Sequence, residues 1–146
     1  MSQSTVAQYM NERLVTINIK STARDIAKLM DKNNVSSVLV TDDNNDIIGI
    51  FTERDIVRII SRDLQPDRII VISPPLVYVD ANLSMEQASA TMLKNKVRHL
   101  LVKDPISKEI VGIMTNTDFA KYLRNQSVSK GFESILEAAA IEMLNY

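Results

Sequence analysis

Short apolar runs alternate with amphipathic segments along this chain, and the same order of segments occurs twice. In the first half, runs rich in Val, Ile and Leu predict strands at residues 14–19, 37–41 and 46–51. Apolar residues at helical spacing predict one helix after Thr22 and another from about Glu53. The predicted unit is therefore strand–helix–strand–strand–helix.

The second half predicts the same unit. Apolar runs indicate strands at residues 76–79, 99–103 and 109–114, with one helix after Ser84 and a last helix that carries Phe119. The chain is therefore expected to fold as two similar halves in an α/β (α+β) arrangement.

Identical residues support an internal repeat. Met30 and Met92 lie 62 positions apart, whereas Gly49 and Gly112 lie 63 apart, after one extra residue in the last turn. Identities in register, with a single gap placed in a loop, are typical of a duplicated structural unit.

One motif ends the last strand of each half. Gly49–Asp55 and Gly112–Asp118 both consist of a glycine, two apolar residues, a threonine, two variable residues and an aspartate. The spacing predicts a strand that ends at the threonine, with the aspartate in the first turn of the next helix. A hydroxyl, a carboxylate and free backbone N–H groups then meet at the positive end of a helix. Such a site suits a ligand that carries hydroxyls and negative charge.

Composition narrows the functional classes. The 146 residues suffice for one domain or two small modules, and a net charge of −1 gives no general attraction for nucleic acid. The chain has no cysteine and no apolar run of the ~18–20 residues that span a bilayer, and its polar start lacks the pattern of a signal peptide. We expect a soluble, cytoplasmic protein without a membrane span.

The repeat suggests four segments. They are an N-terminal segment at residues 1–12, repeat 1 at 13–65, repeat 2 at 66–126 and a C-terminal helical tail at 127–146. A proline-containing linker at 63–75 joins the repeats. The tail carries an apolar stripe at helical period, formed by Phe132, Ile135, Leu136, Ala139, Met143 and Leu144. The stripe fits either docking on its own module or contact with a second copy or a partner protein.

The duplicated motif and its flanks resemble the CBS domain (cystathionine β-synthase domain). Two such domains in tandem form a CBS pair, or Bateman module, and the resemblance covers roughly residues 10–126. It implies two βαββα repeats related by pseudo-twofold symmetry, here with a C-terminal helix. It also implies disc-shaped homodimers and binding of adenosine nucleotides in the clefts between repeats. We expect a stand-alone pair.

The resemblance assigns roles to individual residues. Asp55 and Asp118 accept hydrogen bonds from ribose hydroxyls, and threonine hydroxyls and basic side chains face the phosphates. Adenine is expected against apolar backbone at residues 11–17 and 72–78. The candidate ligand-binding residues are Thr52, Arg54, Asp55, Arg98, His99, Thr115, Asn116, Thr117, Asp118, Val15, Ile17, Val77 and Ser37. Since basic residues are shared unevenly between the repeats, one cleft is expected to bind more tightly.

Simpler interpretations exist for the same residues. A threonine followed three residues later by an aspartate also forms a helix cap, which would explain both motifs without a ligand. His99, the only histidine, is either structural or part of a phosphate site. The acidic residues from Asp42 to Glu53 match the spacing of a calcium loop, but Ile47 occupies the position that requires glycine. We expect no metal site there.

The sequence argues against an enzyme. It offers no cysteine nucleophile, no second histidine and no glycine-rich phosphate loop, and we expect no catalytic residues and no required cofactor. The expected function is a regulatory, energy-sensing module that binds AMP, ADP or ATP and acts on a protein partner. Two alternatives stay open: a ligand-free interaction scaffold, and a sensor of another adenosyl ligand such as S-adenosylmethionine or a dinucleotide.

Overall fold

The structure is a computed structural model that describes residues 3–62, 67, 76–130 and 139–143. The chain divides into two compact units, Leu14–Leu76 and Met1–Arg13 with Val77–Tyr146. In chain order the elements are α1 (Val6–Tyr9), β1 (Thr16–Asn18), α2 (Ala23–Asn33), β2 (Ser37–Thr41), β3 (Ile47–Thr52), α3 (Glu53–Ser61), β4 (Tyr78–Asp80), α4 (Met85–Asn95), β5 (His99–Lys103), β6 (Ile110–Thr115) and α5 (Asn116–Lys130). The predicted α/β class and the βαββα order of both repeats are confirmed.

Each repeat forms a three-stranded sheet of the same topology. In repeat 1 the strand order is β1-β2-β3, in which β1 runs parallel and β3 antiparallel to the central strand. Repeat 2 has the order β4-β5-β6 with the same directions. This pairing sets Ser37 opposite Thr52 in one sheet and His99 opposite Thr115 in the other. The cross-strand neighbour of the motif threonine therefore differs between the repeats.

The first strand of each repeat is shorter than the sequence predicts. The predicted strands at 14–19 and 76–79 appear as β1 and β4, of three residues each. The backbone still pairs just before each strand, since the carbonyl oxygens of Val15 and Val77 accept hydrogen bonds from the N–H groups of Leu39 and Leu101. The apolar pattern thus predicts the whole segment that pairs with the central strand, of which only part is a regular β-strand.

Helical and strand periodicity place the core of repeat 1. Ala23, Ile26 and Met30 of α2 are three and four residues apart and so share one face of the helix. Val38 and Val40 alternate onto one face of β2. The buried cluster consists of Ala23, Ile26, Met30, Val38, Val40, Phe51 and Ile59. Full burial of a side chain such as Phe51 stabilises the fold by about 1.5–3 kcal/mol.

The N-terminal segment packs on repeat 2. Val6 of α1 is fully buried in the cluster formed by the second repeat. Asn11 forms two backbone hydrogen bonds with Ile113, at 2.8 and 3.0 Å, and so extends the sheet beyond β6. The ring of Tyr9 meets that of Tyr122 edge to face, with 5.4 Å between the centroids. Residues that precede repeat 1 in sequence therefore complete the core of repeat 2.

The tail is described in part. Helix α5 continues beyond the predicted end of repeat 2, and residues 139–143 are again helical. Ala139 packs against the core of its own repeat, as the docking interpretation requires, while Ile141 is 60% exposed. The other predicted stripe residues (Phe132, Ile135, Leu136 and Leu144) and all linker positions at 63–75 except 67 lie outside the described residues.

Among the residues that the structure describes, no helix has the length and apolar character needed to cross a membrane.

Substitution of Gly112 by alanine tests the docking of the N-terminal segment. A methyl group at this position would lie 2.5 Å from Met10 Sδ and 3.2 Å from the carbonyl oxygen of Asn11. We expect Gly112→Ala to lower the free energy of unfolding by about 1–3 kcal/mol in urea denaturation. Met10→Ala gives the added methyl group room, so the same substitution should cost less in that background. An equal cost in both backgrounds would contradict the close approach.

Candidate functional site

The motif of repeat 1 folds back on itself at the start of α3. Thr52 ends β3, and its N–H group donates a hydrogen bond of 2.8 Å to Asp55 Oδ2. The Thr52 hydroxyl donates to the same oxygen at 3.1 Å. Asp55 is buried, with 5% of its surface exposed. The carboxylate is therefore fixed at the helix N-terminus through one of its two oxygens.

Repeat 2 has the same arrangement. Asp118 Oδ2 accepts hydrogen bonds from the N–H group of Thr115 at 2.9 Å and from its hydroxyl at 3.1 Å. Asp118 is also buried, with 8% exposed. The capping geometry that the spacing allows is thus present at both motifs. It accounts for one carboxylate oxygen in each repeat and leaves the second for another partner.

The second oxygen of Asp55 faces a cation. Arg58 lies one turn further along α3, and its Nη1 is 3.8 Å from Asp55 Oδ1. The corresponding residue of repeat 2 is Lys121, which is exposed. Among the described residues, no ion pair joins Lys121 to Asp118. Arg58 is not among the residues predicted for the site, although its position three residues after an aspartate on a helix permits this contact.

The cross-strand neighbours of the threonines differ in chemistry. Ser37 lies opposite Thr52, whereas the half-buried His99 lies opposite Thr115. Burial lowers the pKa of His99 to about 4, and the positive charge of Arg98 contributes to the same shift. The imidazole is therefore neutral at pH 7. It can donate or accept a hydrogen bond but adds no charge to the site.

The other motif residues lie at different depths. Arg54, Arg98 and Thr117 are exposed. Asn116 begins α5, and its Oδ1 is buried without a hydrogen-bond partner among the described residues. Asn116 borders a small open groove, which is lined by Ser89, Met92, Leu93, Asn116, Phe119, Ala139, Glu142 and Met143.

The residues predicted to contact adenine also pack against the hydrophobic cores. Val15 and Ile17 are half-buried and pack against the core of repeat 1. Val77 packs in the same way against the core of repeat 2. Their side chains thus help to hold each sheet, and only their backbone and outer surfaces are available to a ligand. The predicted contacts at residues 72–75 lie outside the described residues.

The acidic turn between β2 and β3 is explained by local hydrogen bonds. Asp42 Oδ1 accepts the N–H groups of Asn44 and Asp46, at 2.9 and 3.0 Å. Within the described residues, no group of three or more histidine, aspartate or glutamate side chains is arranged to hold a metal ion. The spacing that resembles a calcium loop therefore serves a turn.

The fold and the motifs define a class of protein, in which two tandem α/β repeats each end in a threonine–aspartate pair at a helix start. The family model of the CBS domain matches the chain twice, over residues 6–62 and 68–125. The chain belongs to the CBS domain family, which confirms the resemblance seen in the sequence.

Relatives of the chain differ in length. The CBS domain-containing protein YhcV of Bacillus subtilis is 29% identical over 136 residues, which cover 90% of this chain and 95% of that protein. An uncharacterized protein of Methanopyrus kandleri is 29% identical over 122 residues, or 81% of this chain and 62% of that protein. The match to an inosine-5'-monophosphate dehydrogenase of Bifidobacterium longum, 29% identical, covers 86% of this chain and 23% of the enzyme. The chain thus spans less than two thirds of the last two relatives.

Solved structures share the fold. A conserved CBS domain protein of unknown function from Thermoplasma acidophilum is 26% identical, with a TM-score of 0.74 over 95% of this chain and 77% of that one. A CBS domain protein from Pyrobaculum aerophilum complexed with AMP is 23% identical, with a TM-score of 0.70 over 78% and 88% of the two chains. The CBS domain pair of protein MJ0100, in complex with 5-methylthioadenosine and S-adenosyl-L-methionine, is 18% identical, with a TM-score of 0.74 over 86% and 99%. The last two likenesses show the fold alone.

The pH dependence of stability tests the burial of His99. Its pKa is about 4 in the folded chain against an ordinary 6.5, so the unfolded chain binds more protons between these values. The free energy of unfolding should therefore fall as the pH drops through this window, by about 2 kcal/mol between pH 7 and pH 5. His99→Gln removes this titration and serves as the control. Urea denaturation at both pH values should show a larger loss for the unaltered chain, and equal losses would mean that His99 titrates normally.

Proposed function

We propose that the chain is a regulatory, non-catalytic module that binds AMP, ADP or ATP through the threonine–aspartate pair of each repeat and acts on a partner protein. The observation that carries this proposal is the pair of buried carboxylates at two equivalent helix starts. The expected position of the ligand between the repeats and the expected cytoplasmic location remain predictions from the sequence.

The site chemistry suits a ribose. A carboxylate oxygen accepts hydrogen bonds, and a ribose presents two neighbouring hydroxyl donors. One oxygen of each motif aspartate is held by the preceding threonine, so the carboxylate is oriented before a ligand arrives. Hydrogen bonds to a charged group typically contribute about 1.5–3 kcal/mol each. Recognition of the sugar therefore needs little rearrangement of the backbone.

Phosphate groups require positive charge or N–H donors close to these carboxylates. The exposed Arg54 and Arg98 and the N-terminal end of each motif helix supply them. Because His99 is neutral at pH 7, its role in this proposal is a hydrogen bond rather than attraction of charge. Attraction of phosphate in repeat 2 then depends on Arg98 and on the helix start.

The ligands of related folds share one moiety. The structures of the same fold that are complexed with AMP and with 5-methylthioadenosine and S-adenosyl-L-methionine hold ligands that all contain an adenosyl group. The common element supports a site that selects for adenosine, and the proposed preference for a nucleotide rests on the arginines. S-adenosylmethionine is the second candidate ligand, since a site of this chemistry would also accept its ribose. A ligand-free scaffold is the remaining alternative.

The proposed mechanism is a shift in population. A ligand that binds one arrangement of the module more tightly than another raises the share of that arrangement. A partner protein that contacts the favoured surface would then sense the nucleotide concentration. The coupling is reciprocal, so partner binding would also raise the affinity for nucleotide.

Loss of the motif carboxylates tests the binding site. We expect Asp55→Ala and Asp118→Ala each to weaken one site at least tenfold, which about 1.4 kcal/mol would produce. Calorimetric titration with AMP, ATP and S-adenosylmethionine measures the effect. Asp25→Ala is the matched control, because Asp25 Oδ2 also accepts the N–H group of the threonine three residues before it but lies outside both motifs. Absence of binding below millimolar concentration to the folded chain would refute the proposal, and unchanged affinity in both variants would refute the ribose assignment.

We also propose that the module forms a homodimer. Val57 and Ile60 are 62% and 64% exposed and, three residues apart on α3, form an apolar face on the surface of repeat 1. Such a face favours contact with another apolar surface, and a second copy of the chain supplies an identical one.

Charge on this face tests the dimer. Val57→Asp should shift the mass in sedimentation equilibrium from dimer toward monomer, because burial of an unpaired carboxylate is costly. Ile106→Asp is the control, since Ile106 is 91% exposed in the turn between β5 and β6. An unchanged mass for Val57→Asp, or an equal shift for the control, would exclude α3 as the contact.

A further inference from the structure

The two motif carboxylates differ in what faces their second oxygen. In repeat 1, Arg58 Nη1 lies 3.8 Å from Asp55 Oδ1. The side chain of Asp55 is 6% exposed and that of Arg58 39% exposed. In repeat 2 the equivalent Lys121 is exposed, and no ion pair with Asp118 is present among the described residues. The same backbone thus offers one engaged and one available oxygen.

The guanidinium of Arg58 and a bound ribose hydroxyl would both interact with Asp55 Oδ1. Both are donors to a carboxylate oxygen, and Asp55 Oδ2 already accepts two hydrogen bonds from Thr52. At 3.8 Å the contact with Arg58 is an interaction of charges rather than a hydrogen bond, so it can be displaced. A hydroxyl that binds Asp55 Oδ1 must overcome this interaction. Among the described residues, no cation forms an ion pair with Asp118 and so none competes with a hydroxyl there.

We infer that Arg58 is a specificity-determining residue, which competes with the ribose for Asp55 and makes repeat 1 the weaker site and repeat 2 the tighter one. The inference rests on the proposed binding of adenosine ligands. The two sites then differ in affinity because Arg58 competes in repeat 1 only, and repeat 2 is the tighter site. The ligand fills repeat 2 first and repeat 1 at higher concentration, so the module responds over two concentration ranges.

Adenosine is the probe that isolates this competition. It carries the ribose hydroxyls but no phosphate, so attraction between a guanidinium and a phosphate cannot contribute. Asp118→Ala leaves repeat 1 to be titrated alone, and Asp55→Ala leaves repeat 2. Asp118→Asn serves as a second background that keeps the size of the side chain.

Arg58→Gln in the Asp118→Ala background should raise the affinity for adenosine. Loss of a partly exposed ion pair should lower the dissociation constant for adenosine, measured by calorimetry, by about two- to fivefold. The matched change, Lys121→Gln in the Asp55→Ala background, should leave the dissociation constant unchanged. Higher ionic strength weakens ion pairs, so added salt should tighten adenosine binding to repeat 1 only while Arg58 is present.

Several outcomes would overturn the inference. Unchanged or weaker adenosine binding after Arg58→Gln means that the guanidinium does not compete. Tighter binding at repeat 1 than at repeat 2 in the single-site backgrounds contradicts the proposed order. Binding of AMP without any binding of adenosine also contradicts the inference, because the ribose hydroxyls would then not determine the affinity. If neither AMP nor adenosine binds the unaltered chain, the proposed function itself fails, which distinguishes the two failures.

Discussion

The hydrogen bonds between a threonine and the aspartate three residues later determine how each repeat ends. The threonine N–H and hydroxyl both donate to one carboxylate oxygen, which caps the helix that follows the last strand. The bond from the threonine N–H to the aspartate is one half of a capping box. It also desolvates the carboxylate and fixes its direction. The strand end, the helix start and the candidate binding group are thus positioned by the same few bonds.

Because the same hydrogen bonds both cap the helix and position the carboxylate, the motif alone is weak evidence for a ligand. Thr22 and Asp25 also form a capping box at the start of α2, where no motif glycine is present and the preceding strand β1 ends at Asn18, before a turn. What separates the two motifs from this cap is burial and context. Asp55 and Asp118 are buried at the end of a strand, whereas the hydrogen bonds between Thr22 and Asp25 are exposed. A surface cap needs no buried carboxylate, so the depth of the motif pair supports a further role.

Features that depend on nearby residues, such as strands and helix caps, were predicted from the sequence. Strand β2 and strand β5 were predicted to the residue, since their apolar runs end at clear polar turns. The capping pairs followed from spacing alone. The docking of residues 3–13 on repeat 2 was not predicted, because it joins segments about a hundred positions apart through Asn11 and Ile113. The neutral state of His99 was not predicted either, since burial and the neighbouring Arg98 act only in the folded chain.

Duplication allows each copy to keep the backbone and change the chemistry. The topology, the strand bulge and the left-handed residues Asn34 and Lys96 recur in both repeats. The side chains around the motif do not, because Ser37 becomes His99 and Arg58 becomes Lys121. These positions differ in charge and hydrogen bonding, and none of them belongs to the buried hydrophobic clusters. Under the proposed function, the fold would therefore constrain where a ligand hydroxyl binds, and residues outside the core would determine how tightly each copy holds it.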